Sequence, residues 1–264
     1  MSESSQHEGR AVDRHSSGGA PSPGNLDPAS YYQTSARMMY AFSPIDRGGL
    51  HMEKKPKRRT RERILETALR LFNDFGEPNV TTTVIADEME ISPGNLYYHF
   101  HNKDEIVNSL FGDYEKEIEA LLTVPGGRTL STEDIWLFLH LLFETIWKFR
   151  FFYRDINDLL TRNRLVETHF QRILERKERT TVRVYEGLAA SGVLTATPSE
   201  ISTLATNMTV VATFWLSFEH ARRPRGQPDI GRGVYQVMSL SAPYLQGEAR
   251  SLLEKLSAEY INNH

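Results

Sequence analysis

From about residue 60 onward, hydrophobic positions recur at helical spacing, and no alternating strand pattern longer than a few residues competes. Thr60 to Phe75 places Ile64, Ala68, Phe72 and Phe75 on one stripe, flanked by Leu65, Leu69 and Leu71. Gly76 then reads as a left-handed cap, and Pro78 prevents the helix from resuming. Two short helices follow. One runs from a threonine cap through Ile85 and Ala86 to Met89. The other starts at Ser92 with Pro93 in its first turn, where the missing N–H costs nothing. Leu96 and Phe100 share one face of this second helix, while Asn95, Tyr98 and His99 point elsewhere. Helices this short must lean on their neighbours, and the pair fits a helix-turn-helix reader of DNA. Asn102 caps the next helix, Glu105 stands where a capping box needs it, and Ile106, Leu110, Phe111, Tyr114, Ile118 and Leu121 form its buried face.

Pro125-Gly126-Gly127 breaks the chain, and Ser131-Thr132-Glu133-Asp134 caps a new helix. From there to about Arg154 the residues are apolar and aromatic nearly all round, the pattern of an interior helix. Residues 155–191 hold two helical patterns broken near Asn163, the later one charged, amphipathic and closed by Gly192. Thr197-Pro198-Ser199-Glu200 is a capping box that opens a helix on Ile201, Leu204, Ala205, Met208, Val211, Ala212, Trp215 and Phe218. A loop over Arg222–Pro228 leads to a last helical region from about Ile230 to Ile261, which Pro243 kinks or breaks. The expected architecture is all-α: a three-helix DNA-binding head followed by a helical effector-binding and dimerisation domain. The expected divisions are a disordered tail over 1–53, the basic arm and head over 54–103, and the C-terminal domain over 104–264.

Composition changes this picture at the N-terminus. Residues 1 to about 52 are rich in Ser, Gly and Pro and bury too little apolar surface to offset their ordering entropy. Translation from Met52 would omit them. Lys54 to Arg63 carries seven basic residues against one acidic. Such a run is either solvated charge or an arm reaching phosphates; its place beside a helix-turn-helix favours the arm, with Lys57, Arg58 and Arg59 as contacts. Overall the net charge of −3 names no partner. No cysteine is present, which removes disulfides and thiolate metal sites, and no metal or cofactor is expected. No apolar run approaches the roughly 20 residues of a membrane span, so no membrane partner is expected. Enzyme motifs are lacking too: there is no phosphate loop after a strand, no His-Glu-x-x-His and no nucleophile elbow.

Residues 57–264 resemble the TetR family of bacterial transcriptional regulators. The motifs are Phe72…Gly76, Thr81/Thr82…Ile85-Ala86, Ile91-Ser92-Pro93-Gly94-Asn95-Leu96-Tyr97-Tyr98-His99-Phe100, and Lys103. Trp136-Leu137-Phe138-Leu139-His140 and Tyr153 to Leu159 look like the subgroup that regulates polyhydroxyalkanoate genes. The resemblance implies a cytoplasmic, nucleoid-associated bacterial homodimer, usually a repressor, on a near-palindromic operator. It implies phosphate contacts from Thr81 and Thr82 and a base contact from Thr83. Pro93, Gly94 and Asn95 would enter the major groove first, with Asn95 reading adenine or bonding a phosphate and Ser92 counted with them as DNA-binding. Tyr97, Tyr98, His99 and Lys103 would position the duplex, His99 being either a phosphate donor or a packed imidazole. One position departs from the family: the turn residue usually held by Gly is Glu90, which must accept a left-handed backbone and sets a carboxylate near DNA.

The aromatics of the C-terminal domain either fill its core or wall a cavity. The cavity reading names Trp136, Leu139, Phe143, Trp147, Phe151 and Phe152 as walls and Arg154 at the mouth, with Arg150, Arg162, Arg164 and Arg172 as further candidates for an anionic headgroup. A small apolar effector, such as an acyl thioester, would suit it. Across a two-fold axis, Met208, Val211, Trp215, Phe218, Tyr235 and Met238 are the expected interface. The alternative is a constitutive or architectural DNA binder with a filled core and no effector.

Overall fold

The computed structural model describes residues 56–123, 132–224, 226 and 228–262, with backbone alone at 56–58, 132–133 and 256–262. The expected tail over 1–53, Lys54, Lys55 and the Ser131 cap lie outside the described residues. The first helix, α1 (Pro56–Phe75), starts earlier than its apolar stripe requires. Proline is compatible with a first turn, and lysine and arginine are good helix formers, so part of the expected arm is helix. Phe75 corrects the stripe: it is 61% exposed, because α1 ends there and the chain turns at Gly76. Burial falls instead to Ile64, Leu65, Ala68, Leu71 and Phe72.

A 3-10 turn (Glu77–Asn79) leads to α2 (Thr82–Glu88), α3 (Pro93–His99) and α4 (Lys103–Leu121). Each start is capped as its sequence demands. Thr81 Oγ1 accepts from Val84 N at 3.3 Å, Ser92 Oγ from Asn95 N at 3.2 Å, and Asn102 Oδ1 from Glu105 N at 2.8 Å. The Glu105 carboxylate accepts from His101 N at 2.9 Å, one residue ahead of the cap, a variant of the capping box. α1 packs on α2 and α4, and α2 packs on α3. The fully buried Ile64, Phe72, Ile85, Leu96 and Phe100 belong to the core that holds this head together.

The C-terminal domain comprises α5 (Thr132–Lys148), α6 (Arg150–Arg154), α7 (Ile156–Arg162), α8 (Arg164–Ala190), α9 (Pro198–Arg222), α10 (Ile230–Ser239) and α11 (Gly247–Asn262). Sequence periodicity predicts one helix to about Arg154, but the helix breaks at Phe149. The break is satisfied from outside the segment. Asn73 of α1 donates to Lys148 O at 2.9 Å and accepts from Phe151 N at 3.1 Å. No local pattern encodes a partner about 75 residues away. The other boundaries follow their signals: the Asn163 side chain caps α8, and Gly192 closes it with φ 75°. Thr197 and Glu200 form the reciprocal capping box, and Pro243 falls between α10 and α11.

α4 packs on α1 and also on α5 and α8, so it serves both halves of the protein. α9 lies against α6, α8 and α10. By composition α9 is long and apolar enough to cross a membrane, which a search for uninterrupted apolar runs misses; half of its most apolar window is buried inside the fold. Among the described residues, the extended pairing is confined to an isolated antiparallel bridge, Leu194 to Leu245.

Candidate nucleic-acid interface and effector cavity

One face of the α2–α3 unit is open to solvent. Thr81, Thr83, Ser92, Pro93, Gly94, Asn95, Tyr97 and Tyr98 are exposed on it, with Thr82 and His99 half-buried. Leu96 and Phe100 turn the opposite way into the core. Thr82 Oγ1 and Tyr97 OH lie 3.2 Å apart, tying α2 to α3, and the Tyr98 and His99 rings meet edge-on at 5.3 Å. Hydroxyls, an amide and two tyrosines therefore stand together around the tip of α3, a set suited to phosphate positioning and base-edge contact. Arg59 is exposed at the start of α1; Lys57 and Arg58 fall in the same first turn, with side chains outside the described residues.

Lys103 is placed otherwise. Its Nζ lies 3.0 Å from Glu77 Oε1 and donates to Glu77 O at 3.0 Å, so the expected phosphate contact is instead bound within the fold. Glu77 is fully buried and also pairs with Arg162 of α7. A buried carboxylate demands such partners, and Lys103 is close enough to serve. Arg61 is likewise committed, lying over the Phe100 ring at 4.6 Å and donating to Ser109 Oγ at 3.0 Å.

Glu90 adopts φ 55°, the one positive φ among described non-glycine residues. Glu90 N donates to Asp87 O and Ile91 N to Ala86 O, both at 3.0 Å, the two bonds of a Schellman cap. The left-handed region costs an L-residue about 1–2 kcal/mol. Glu90→Gly should therefore stabilise the chain by about 1 kcal/mol and, by removing a carboxylate beside the open face, tighten DNA binding. A thermal melt and a salt-matched DNA titration check the two parts; unchanged values in both would show that Glu90 is indifferent.

Further polar ties join the head to the C-terminal domain. Arg154 donates to Phe72 O at 3.0 Å and Asn73 O at 3.5 Å, satisfying carbonyls at the end of α1. Arg150 pairs with Asp74 at 2.9 Å, and Arg162 with Glu77. Gly76 combines φ 88° with a close approach: a Cβ there would lie 2.9 Å from Arg154 Nη2. Four of the five arginines expected to hold a headgroup are thus engaged: Arg154, Arg150 and Arg162 hold the junction, and Arg164 pairs with Glu167 at 2.6 Å, while Arg172 is exposed on α8.

A cavity of about 40 Å³ opens between α5, α8, α9 and α10 and the end of α4. Of the expected wall residues, Leu139 lines it. Phe151 and Phe152 are instead fully buried in an aromatic cluster with Phe72, Phe111 and Tyr114, which fills the space beneath the head. Phe143 packs where a Cβ on Gly233 would come within 2.6 Å of its ring, so the glycine lets α10 close on it. Trp147 lies under the Arg150 guanidinium at 4.5 Å, and Trp136 stacks on His140 at 5.4 Å. The cavity's charged residue is Lys177, which was not singled out from the sequence. Val166, Phe170, Ile173 and Thr180 share its buried face at spacings of three and four, a signal that would have found it.

Most of the residues expected at a dimer face do not face outward. Met208, Trp215 and Met238 are buried within the chain, and Val211 and Tyr235 are half-buried; Trp215 Nε1 donates to Asp229 O at 2.8 Å. Facing outward on α9 are Val210 (50% exposed), Phe214 (43%) and Phe218 (51%), each four residues from the next. α9 is apolar on several sides, so periodicity could not choose the outer face. Phe218 alone of the expected set stays on it.

Residues 64–110 match the family of bacterial regulatory proteins of the tetR type, and residues 113–253 match the TetR family described as bacterial transcriptional repressor. A TetR-family transcriptional regulator from Marinobacter aquaeolei VT8 is 35% identical in solved structure, covering 76% of this chain and 98% of that one at a TM-score of 0.70. The tetracycline repressor protein class C of Escherichia coli is 36% identical over 74 residues, 28% of this chain and 31% of the repressor's length. A transcriptional regulator from Saccharomonospora viridis, solved in complex with choline, shares the fold at 19% identity and a TM-score of 0.57, over 72% of this chain and all of that one. The chain belongs to the TetR family: it is a DNA-binding transcription regulator with a helix-turn-helix head on an all-α fold.

Proposed function

We propose that the protein is a ligand-responsive repressor that binds a near-palindromic operator as a homodimer in the bacterial cytoplasm. The observation that carries this reading is the open α2–α3 face, joined through the hydrogen bonds of Asn73 and Arg154 to a domain that contains a cavity. Thr81, Thr82, Thr83 and Ser92 to Asn95 approach the groove, while Tyr97, Tyr98 and His99 position the backbone. A two-fold axis beside α9 would set the two α3 helices about 34 Å apart, one turn of DNA.

The stripe of Val210, Phe214 and Phe218 supports that axis, since exposed apolar side chains in a contiguous row mark an interaction surface. Phe214→Glu should convert the dimer to monomer in light scattering and weaken DNA binding in parallel. A variant that remains dimeric would move the interface elsewhere.

The effector we propose is small, with an apolar body. The likeness of residues 136–140 and 153–159 to polyhydroxyalkanoate-gene regulators supports an acyl metabolite. An acyl thioester of coenzyme A has support only from the apolar lining, because Arg150, Arg154 and Arg162, expected to hold its headgroup, are engaged elsewhere. The cavity's small volume, about 40 Å³, favours a second reading: a constitutive DNA binder with no effector. Titration of DNA with and without a metabolite extract separates them. Extract-dependent release supports the ligand-responsive reading, and indifference supports the constitutive one.

A further inference from the structure

We propose that the cavity takes a short-chain monocarboxylate, its carboxylate paired with Lys177 and its alkyl end against Leu139, Leu142, Met208 and Val237. This rests on the ligand-responsive reading above and gives its effector a chemical class.

Lys177 is 3% exposed on the apolar face of α8 and lines the cavity. Its Nζ donates to Tyr153 OH at 3.2 Å, and among the described residues no carboxylate pairs with it. A buried ammonium without a counter-charge is costly, and a bound anion would supply what the fold leaves out. One cation matches one negative charge. The walls from α5, α9 and α10 are apolar apart from Thr209, and Thr180 of α8 spends its hydroxyl on Leu122 O at 3.2 Å. The cavity is small, about 40 Å³, so the chain is a few carbons long.

The site also reaches the output end. Tyr153 bonds Tyr114 of α4 through their hydroxyls, and it lies between Phe152 and Arg154 on α6. Arg154 holds the end of α1. A ligand that recruits Lys177 changes the bonding of the one α6 residue that touches both cavity lysine and α4.

Burial pushes Lys177 down to about 7. Its native form is therefore largely neutral at mildly alkaline pH. Stability that is full above the usual 10.5 declines as pH falls towards 7 and then levels off. The titratable groups around it are Tyr153 on α6, Tyr114 on α4 and Tyr185 on α8; burial raises all three, Tyr185 to about 12, so all are neutral in this range. The lining residues of α5, α9 and α10 are not ionisable. Carboxylate binding near pH 8 must then take up close to one proton.

The test is isothermal titration of the full chain with butanoate and with butan-1-ol near pH 8, in phosphate and in Tris, whose ionisation enthalpies differ. Butanoate should bind with uptake of close to one proton and butan-1-ol with none. Lys177→Met should weaken butanoate about 10- to 100-fold, the loss of a charge-assisted bond, and leave butan-1-ol unchanged. Replacing a buried amine, whose burial opposes its usual charge, by an apolar group of similar length should also raise the melting temperature, which reports that the variant folds. Equal affinity for acid and alcohol, binding without proton uptake, or no binding of butanoate each overturn the proposal. If butanoate fails while a metabolite extract still releases DNA, only the carboxylate assignment falls. If neither acts, the ligand-responsive reading falls with it.

Discussion

Glu77→Gln should lower the melting temperature of the full chain by about 6–12 °C. The carboxylate is fully buried between Lys103, 25% exposed, and Arg162, 33% exposed. Removing one partner of a buried ion pair costs about 3–5 kcal/mol, and the low end applies because both cations can regain water. At about 2–4 °C per kcal/mol for a chain of this size, about 3 kcal/mol gives the stated shift. Lys103→Met should cost less, since Arg162 still faces the carboxylate. The physical point is that Glu77 belongs to the 3-10 turn of the head, Lys103 begins α4, and Arg162 ends α7. Their meeting place is where the head joins the C-terminal domain. A melting temperature within about 2 °C of wild type would show that the cluster is idle, less than 1 kcal/mol on the same scale.

Asn95→Ala should weaken binding to a symmetric operator by at least tenfold. Asn95 is exposed near the start of α3, and its backbone N–H is already spent on Ser92, which leaves the side-chain amide to the groove. A bidentate base contact is worth about 1–3 kcal/mol, and two-fold symmetry applies the loss twice. Because the residue is exposed and caps nothing with its side chain, the melting temperature should not move. Fluorescence anisotropy at fixed salt measures the affinity. A uniform loss on operator and random DNA would reassign Asn95 to a phosphate.

The head was legible in the sequence because its signals are local. Thr81, Ser92 and Asn102 sit where caps are needed, and each accepts the expected backbone bond. Glu90 was recognisable as a left-handed residue because the family resemblance puts glycine at its position, and φ 55° bears that out. What could not be read depends on tertiary contact. Asn73 breaks the helix at Phe149, Glu77 claims Lys103, and the end of α1 claims Arg154. Each pairs residues far apart in the chain, so the family resemblance placed Lys103 on DNA and residue type placed Arg154 on a ligand. The aromatics were ambiguous for another reason. Phe143, Phe151 and Phe152 have the composition of a cavity wall and the packing of a core. On α9, apolar residues on several sides hid the outward row of Val210, Phe214 and Phe218.

Selection of bound sequences from random duplex DNA by the full chain asks most directly whether the α2–α3 face reads DNA as one of a symmetric pair. The expected product is an inverted repeat with half-site centres about 10–10.5 base pairs apart, or a multiple of that. It should bind two chains and lose its enrichment with Asn95→Ala. Enrichment of no sequence, or of an asymmetric site bound by one chain, would contradict that reading.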